Sequence, residues 1–206
     1  MNRLERLRAE SGSPAEFARG YLEYLRAVIA RIDLGEIACL IQTLLAARDR
    51  SARIFFFGNG GSAATASHFA NDIAIGSRSW ARPFRAISLT DNVPVLTAIA
   101  NDYGYDEIFL KQLEVLMSPG DVVVAISVSG NSPNVLRAVE YAQAHGATTV
   151  ALTGFDGGKL RPLAQLGVHV PTTRGEYGPA EDVHMILDHL VSACLMSPGS
   201  EEGDET

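Results

Sequence analysis

The sequence predicts a doubly wound α/β fold on a parallel sheet, and three observations predict it. The apolar run IFFF at residues 54–57 passes directly into the turn GNGGS, and the run VVVAI at 122–126 passes into SVSGNS. A strand whose sheet is covered by helices on both faces is apolar continuously rather than at alternate positions. Five such short runs occur, at least four of them separated from the next by a helical pattern, which is the order of a βαβ chain.

Residues 1–13 are polar and read as a frayed arm or a first helical turn. From Pro14 onward Phe17, Tyr21, Tyr24, Leu25, Val28, Ile29 and Ile32 recur at three- and four-residue spacings, the signature of an amphipathic helix. A second helix is expected over 34–48, with Ile37, Leu40, Ile41, Leu44 and Leu45 along one stripe. These helices precede the first strand, so residues 1–50 read as a helical extension of an α/β domain at 51–196. Its apolar faces suit either an oligomer contact or one face of the chain's own sheet.

After the strand and turn at 54–62, a helix is expected over 63–75, then a strand at 85–89. Asp91 is expected to cap a helix reaching Ala100, and NDYGYDEIF opens another that ends near Met117. The turn SPGD introduces the strand at 122–126. Pro133 suits the first turn of the next helix, where a missing N–H costs nothing. The remaining elements are a strand at 148–153, a short helix at 159–165, a strand at 167–171 and a last helix over 179–196. The closing SPGSEEGDET, at 197–206, is acidic and without large apolar residues, and disorder is expected there.

Composition narrows the function. A chain of 206 residues, 47% hydrophobic, can bury one substantial core, and its net charge of −7 argues against a broad nucleic-acid surface. Cys39 and Cys194 sit inside apolar helical patterns and are expected to be small core residues rather than a disulfide. The N-terminus has charges where a signal peptide is apolar, and no run is long enough to span a bilayer, so a cytoplasmic location is expected.

The turn delivers Asn59, the amides of Gly60 and Gly61, and the Ser62 hydroxyl to a helix N-terminus, where unpaired N–H groups and the helix dipole favour an anion. A packing turn, in which glycine only lets strand and helix approach closely, fits the same residues. In SVSGNS, three serines in six residues before a proline-started helix form a neutral donor cradle. Ligands of doubly wound sheets bind beyond the carboxyl ends of the strands, where both loops lie. Farther along, His68 and Asp72 share a helical face, as do Glu181 and His189, which lie about 80° apart on an ideal helix.

The ordered set GNGGS, SHFA, NDYGY, ISVSGNSPNV and LTGFDGGKL resembles the SIS (sugar isomerase) domain, most of all the phosphoheptose isomerases. The resemblance implies a flavodoxin-like five-stranded parallel sheet and a homotetramer with active sites between subunits. It implies a phosphosugar substrate, with sedoheptulose 7-phosphate and D-glycero-D-manno-heptose 7-phosphate interconverted. Ser62, Ser127, Ser129 and Ser132 would hold the phosphate, and Asp102 would lie near the substrate. Asp72 would be the base and His189 the acid. A zinc ion would be held by His68, Asp72, Glu181 and His189.

The chain departs from the family pattern at several of these positions. Aspartate stands at 72 for glutamate, shortening the reach by about 1.5 Å, and a displacement of that size can cost about a hundredfold in rate. Glutamate stands at 181 for glutamine, adding a charge that could strengthen metal binding or supply an alternative base. Val128 stands where threonine is common, and Pro179 where a polar residue faces the substrate. Read without the family, His68 and Asp72 also fit an ordinary surface pair, and Asp102 a helix cap. His184 with Asp188 forms a rival pair, read as mainly structural, as are His145 and His169. A non-catalytic SIS sugar-phosphate sensor or regulator, or an isomerase of another phosphosugar, is the competing function; the pairing of His189 with an acid at 72 favours an enzyme.

Overall fold

In the computed structural model, which describes residues 1–196, five parallel strands form one sheet in the order β2-β1-β3-β4-β5. The strands are β1 (Arg53–Gly58), β2 (Arg85–Ser88), β3 (Val122–Ser127), β4 (Thr148–Thr153) and β5 (Leu166–His169). This is the flavodoxin-like order. The direction of winding reverses between β1 and β3, so the two motif loops emerge side by side at the switch point. Their register aligns Phe56 with Val124 and Gly58 with Ile126.

Helices cover both faces. On one face α2 (Pro14–Ile29), α3 (Leu34–Asp49), α4 (Gly61–Asn71) and α9 (Tyr177–Leu195) contribute Tyr24, Val28, Leu40, Leu44, Phe69, Val183 and Leu187 to a core shared with Ile54, Phe56, Val124 and Leu152. On the other face α5 (Val93–Asp102), α6 (Leu110–Leu116), α7 (Pro133–Ala144) and the short α8 (Leu160–Leu163) pack on Phe55, Phe57, Val123 and Ala125. Four consecutive β1 residues are therefore buried, two per face, which is why that strand is apolar throughout. The helical hairpin closes a face of its own sheet, one of the two roles its sequence allowed.

Several boundaries differ from expectation for local reasons. The first residues form a helix, α1 (Arg3–Glu10), because Asn2 and Glu5 make a reciprocal capping box. The buried Glu176 then accepts the Arg3 amide at 2.7 Å, with the Thr173 amide and Tyr24 hydroxyl as further donors. Asn92 rather than Asp91 caps α5, accepting the Val95 amide at 3.2 Å. The expected helix over 63–75 is α4 continued by a π-helical turn, Asp72–Gly76, which begins at a candidate site residue. Cys39 and Cys194 are exposed free thiols rather than core residues: each lies on the side of its helix turned away from the sheet. The expected disordered tail lies outside the described residues.

Candidate active site

Both glycine- and serine-bearing loops owe their shape to contacts that only small residues permit. Gly60, the N-cap of α4, has φ +56°, and among the described residues neither its amide nor that of Gly61 finds a partner. A Cβ on Gly61 would lie 2.4 Å from the Glu181 carboxyl carbon. Ser62 is buried one residue further into the helix. In the second loop Gly130 has φ +62°, and a Cβ there would lie 2.0 Å from the Gly157 carbonyl oxygen. The loop after β4 thus braces the loop after β3: the Leu160 amide donates to the Gly130 carbonyl at 2.9 Å and the Gly154 amide to Val128 at 3.0 Å. This gives the LTGFDGGKL motif a physical role as the backing of the cradle.

Within SVSGNS the serines are not equivalent. The buried Ser127 hydroxyl accepts the Gly130 amide at 3.2 Å, and Ser129 accepts the Asn131 amide at 3.4 Å. Ser132 stands at the N-cap of α7 without a side-chain capping bond, which leaves its hydroxyl to a ligand. Val128 is buried against Gly154, so a threonine hydroxyl at this position would be turned inward. Asn59 forms a reciprocal amide pair with Asn134 at 2.9 Å in both directions and accepts the Tyr105 hydroxyl at 2.9 Å. Its side chain ties the two loops together instead of reaching for a ligand, because both of its polar atoms are already engaged. Asp102, the last residue of α5, is exposed and accepts the Asn101 side chain at 2.7 Å. It makes no helix cap, since Gly104 holds that position in the following turn, Tyr105–Glu107. A cavity of about 210 Å³ opens at the glycine turn, lined by Asn59, Gly60, Ala63, Thr97 and Tyr105. A larger one, about 670 Å³, lies between β2, α5 and α6 and is mainly apolar. The ionisable cluster is not in it.

That cluster lies between α4 and α9. His68 Nε2 is 3.2 Å from His189 Nε2, 3.4 Å from an Asp72 carboxylate oxygen and 3.9 Å from Asp188 Oδ2. The four donor atoms all fall within 4.8 Å of one another. The helices bring these residues together because α4 and α9 run side by side: Gly61 meets Glu181 at one end and His68 meets His189 about two turns on. Burial, and secondarily the neighbouring Asp72, pushes the Asp188 carboxyl up to about 6. Burial also raises Glu181, with Asp182 adding to it.

The sequence grouped His68, Asp72, Glu181 and His189; the structure joins His68, Asp72 and His189 with Asp188 and leaves Glu181 outside the group. On α9, Glu181 is about 12 Å up the axis from His189, whereas Asp188 is its neighbour. Asp188 therefore does not pair with His184. The fully buried His184 Nε2 faces the Thr153 carbonyl at 3.3 Å, and burial lowers its pKa to about 4, so it is neutral packing. The signal for Asp188 was present as a carboxylate beside His189, but its neighbour His184 offered an equally good partner by spacing. His145 stacks on Tyr141, and His169 bonds Thr153. Pro179 is buried in the first turn of α9.

The parallel α/β fold agrees with the comparisons to known proteins. The SIS domain profile matches residues 16–154, and the chain belongs to the SIS domain family. Relatives of the chain include phosphoheptose isomerases: one from Helicobacter pylori is 40% identical over 156 residues, 76% of this chain and 78% of that protein. A probable phosphoheptose isomerase from Thermoplasma acidophilum is 36% identical over 86% of this chain and 97% of its own. Among solved structures, a phosphoheptose isomerase from Neisseria gonorrhoeae superposes with a TM-score of 0.81 at 32% identity, covering 89% of this chain and 98% of the other. One from Francisella tularensis gives 0.82 at 27%, with the same coverage.

Proposed function

We propose that this chain is a phosphoheptose isomerase that interconverts sedoheptulose 7-phosphate and D-glycero-D-manno-heptose 7-phosphate by proton transfer between adjacent carbons. The observation that carries this reading is a His–carboxylate cluster about two turns along the helix that the glycine turn launches, with the hydroxyl-bearing loop after β3 next to that turn. Aldose–ketose isomerisation needs a base to move the carbon-bound proton and an acid to protonate the carbonyl oxygen. His189 is assigned the acid and Asp72 the base. Glu181 is the second carboxylate able to serve as base, favoured by its seat against Gly61 and by its raised pKa. Ser62, Ser127, Ser129 and Ser132, with the amides of Gly60 and Gly61, are assigned to the phosphate.

The cluster suits a divalent ion, and zinc is proposed: two imidazoles and carboxylate oxygens are ligands that zinc takes. When bound, such an ion would polarise the carbonyl and stabilise charge developing on its oxygen. A homotetramer with sites between subunits is proposed as well. Exposed Leu22, Ile29, Ile186 and Leu190 on α2 and α9, near the cluster helix, offer apolar surface for it. None of the described helices is long and apolar enough to cross a membrane, and a cytoplasmic site of action is proposed.

The test is solvent-proton exchange beside the carbonyl with five-, six- and seven-carbon ketose and aldose phosphates. Exchange with the seven-carbon pair is expected, and its absence with every sugar ends the isomerase reading. Asp72→Asn is expected to lower kcat by about a hundredfold or more. If Glu181→Gln does so instead, the base is Glu181.

A further inference from the structure

Three buried side-chain atoms lack a hydrogen-bond partner among the described residues, on Ser77, His184 and Asp188, and the carboxylate oxygen is the one of them that carries charge. Asp188 is fully buried, and the one proton of the Ser192 hydroxyl is shared between the Asp188 carbonyl at 2.6 Å and Oδ1 at 3.1 Å. Its Oδ2 has no hydrogen-bond partner among the described residues and is 3.9 Å from His68 Nε2. Leaving an ionised oxygen buried and unpaired costs several kcal/mol, so a fold that keeps it there is built to satisfy it from elsewhere.

We infer that Asp188, in place of Glu181, is the fourth ligand of the metal centre, so that an ion between α4 and α9 is held by His68, Asp72, Asp188 and His189. The inference rests on the metal reading above. A tetrahedron with metal–ligand bonds of about 2.0–2.2 Å has edges of roughly 3.3–3.6 Å. The three separations from His68, 3.2, 3.4 and 3.9 Å, bracket those edges, and all six lie within 4.8 Å, so rotamer shifts on the order of 1 Å close the shell. Ser192 stands behind the ligand: its hydroxyl, shared between the Asp188 carbonyl and Oδ1, holds Oδ1 on the side away from the cluster and leaves Oδ2 toward it, as groups behind metal ligands commonly do. Glu181, about 12 Å along α9, stays outside the shell and keeps its carboxyl at the glycine turn. Two aspartates with two imidazoles leave a neutral site around a divalent ion, whereas the single carboxylate of a His68–Asp72–His189 set leaves it positive.

The test measures metal rather than turnover. The full chain, stripped with chelator, is titrated with Co²⁺ and Zn²⁺ against a chromophoric competitor, reading affinity and the cobalt absorption bands of four-coordinate geometry. One ion per chain is expected. Glu181→Gln should bind within about threefold of the parent, and Asp188→Asn should bind at least about a hundredfold more weakly, beyond the loss typical of a group behind a ligand. Parent-like binding by Asp188→Asn, a hundredfold loss in Glu181→Gln, or no uptake by the parent chain each overturns the proposal. Proton exchange by the chelator-treated parent separates these results from the isomerase reading, which falls only if exchange is absent with and without metal. Should Asp188→Asn not fold, anomalous scattering from zinc-loaded parent crystals decides. Zinc about 2.0–2.2 Å from Asp188 Oδ2 supports the assignment, and a distance beyond about 3 Å overturns it.

Discussion

The serine cradle and the histidine cluster are built on opposite principles, and about two turns of α4 separate the glycine turn from the cluster. The cradle is neutral and contiguous in sequence, and backbone hydrogen bonds from the loop behind it hold its shape, as in the bonds from Leu160 to Gly130 and from Gly154 to Val128. The cluster is charged and contributed by two helices more than a hundred residues apart, and its polar atoms face one another with few other partners. The difference teaches where each is vulnerable. A loop held by its backbone tolerates changed side chains but not added Cβ atoms, whereas the cluster depends on individual side chains and on the packing of α4 against α9.

The largest expected effect breaks the cluster and spares the cradle. His189→Ala should lower kcat by about 10²–10⁴-fold while phosphate-ligand binding, measured calorimetrically, stays within a few-fold of the parent. An equal loss of both would mean that the two regions are one unit.

The next concerns the bed under α9. His184 is fully buried with its pKa depressed to about 4, against an ordinary 6.5. A base whose folded pKa is lowered contributes stability that is full above about 6.5 and is lost as pH falls toward 4, because the unfolded chain takes up the proton first. The loss across that window is about 3 kcal/mol. His184→Gln, which can still donate to Thr153, should flatten this part of the denaturation-versus-pH curve; an unchanged slope would assign the acid sensitivity elsewhere.

Gly130→Ala reverses the first experiment. The added Cβ meets the Gly157 carbonyl in a left-handed conformation, so a destabilisation of about 2 kcal/mol is expected, with KM for the phosphosugar raised and metal binding unchanged. Metal loss in this variant would show that the loop and the helices are coupled. The smallest effect is Val128→Thr, which restores the family hydroxyl. Since Val128 is buried against Gly154, stability should fall by about 1 kcal/mol with KM unchanged. A lowered KM would place this side chain toward the ligand after all.

Much of this was legible from the chain because the signals were local. Continuous apolar runs specify doubly covered strands, Pro133 and Gly146 bound α7, and each motif loop carries its small residues within six positions. Where a single hydrogen bond chooses between neighbours, as in the capping of α5 by Asn92 rather than Asp91, the pattern did not discriminate. The cysteines misled because an apolar helix pattern does not say which stripe faces the sheet when other sides are also apolar.

The sequence by itself determined the strands of a parallel α/β domain, the two loops, and the shared helical face of His68 and Asp72, since spacing on one helix or one loop follows from backbone geometry alone, and the family resemblance added His189. The tertiary structure decided the rest. It engaged Asn59 between Asn134 and Tyr105, set Glu181 over Gly61, turned His184 inward, and brought Asp188 to His68. Periodicity gives the angle of a residue about its own helix, but its partners depend on how two helices slide along each other. A displacement of two turns on α9 exchanges Glu181 for Asp188, and that displacement is fixed by the apolar packing of α4 and α9 on the sheet.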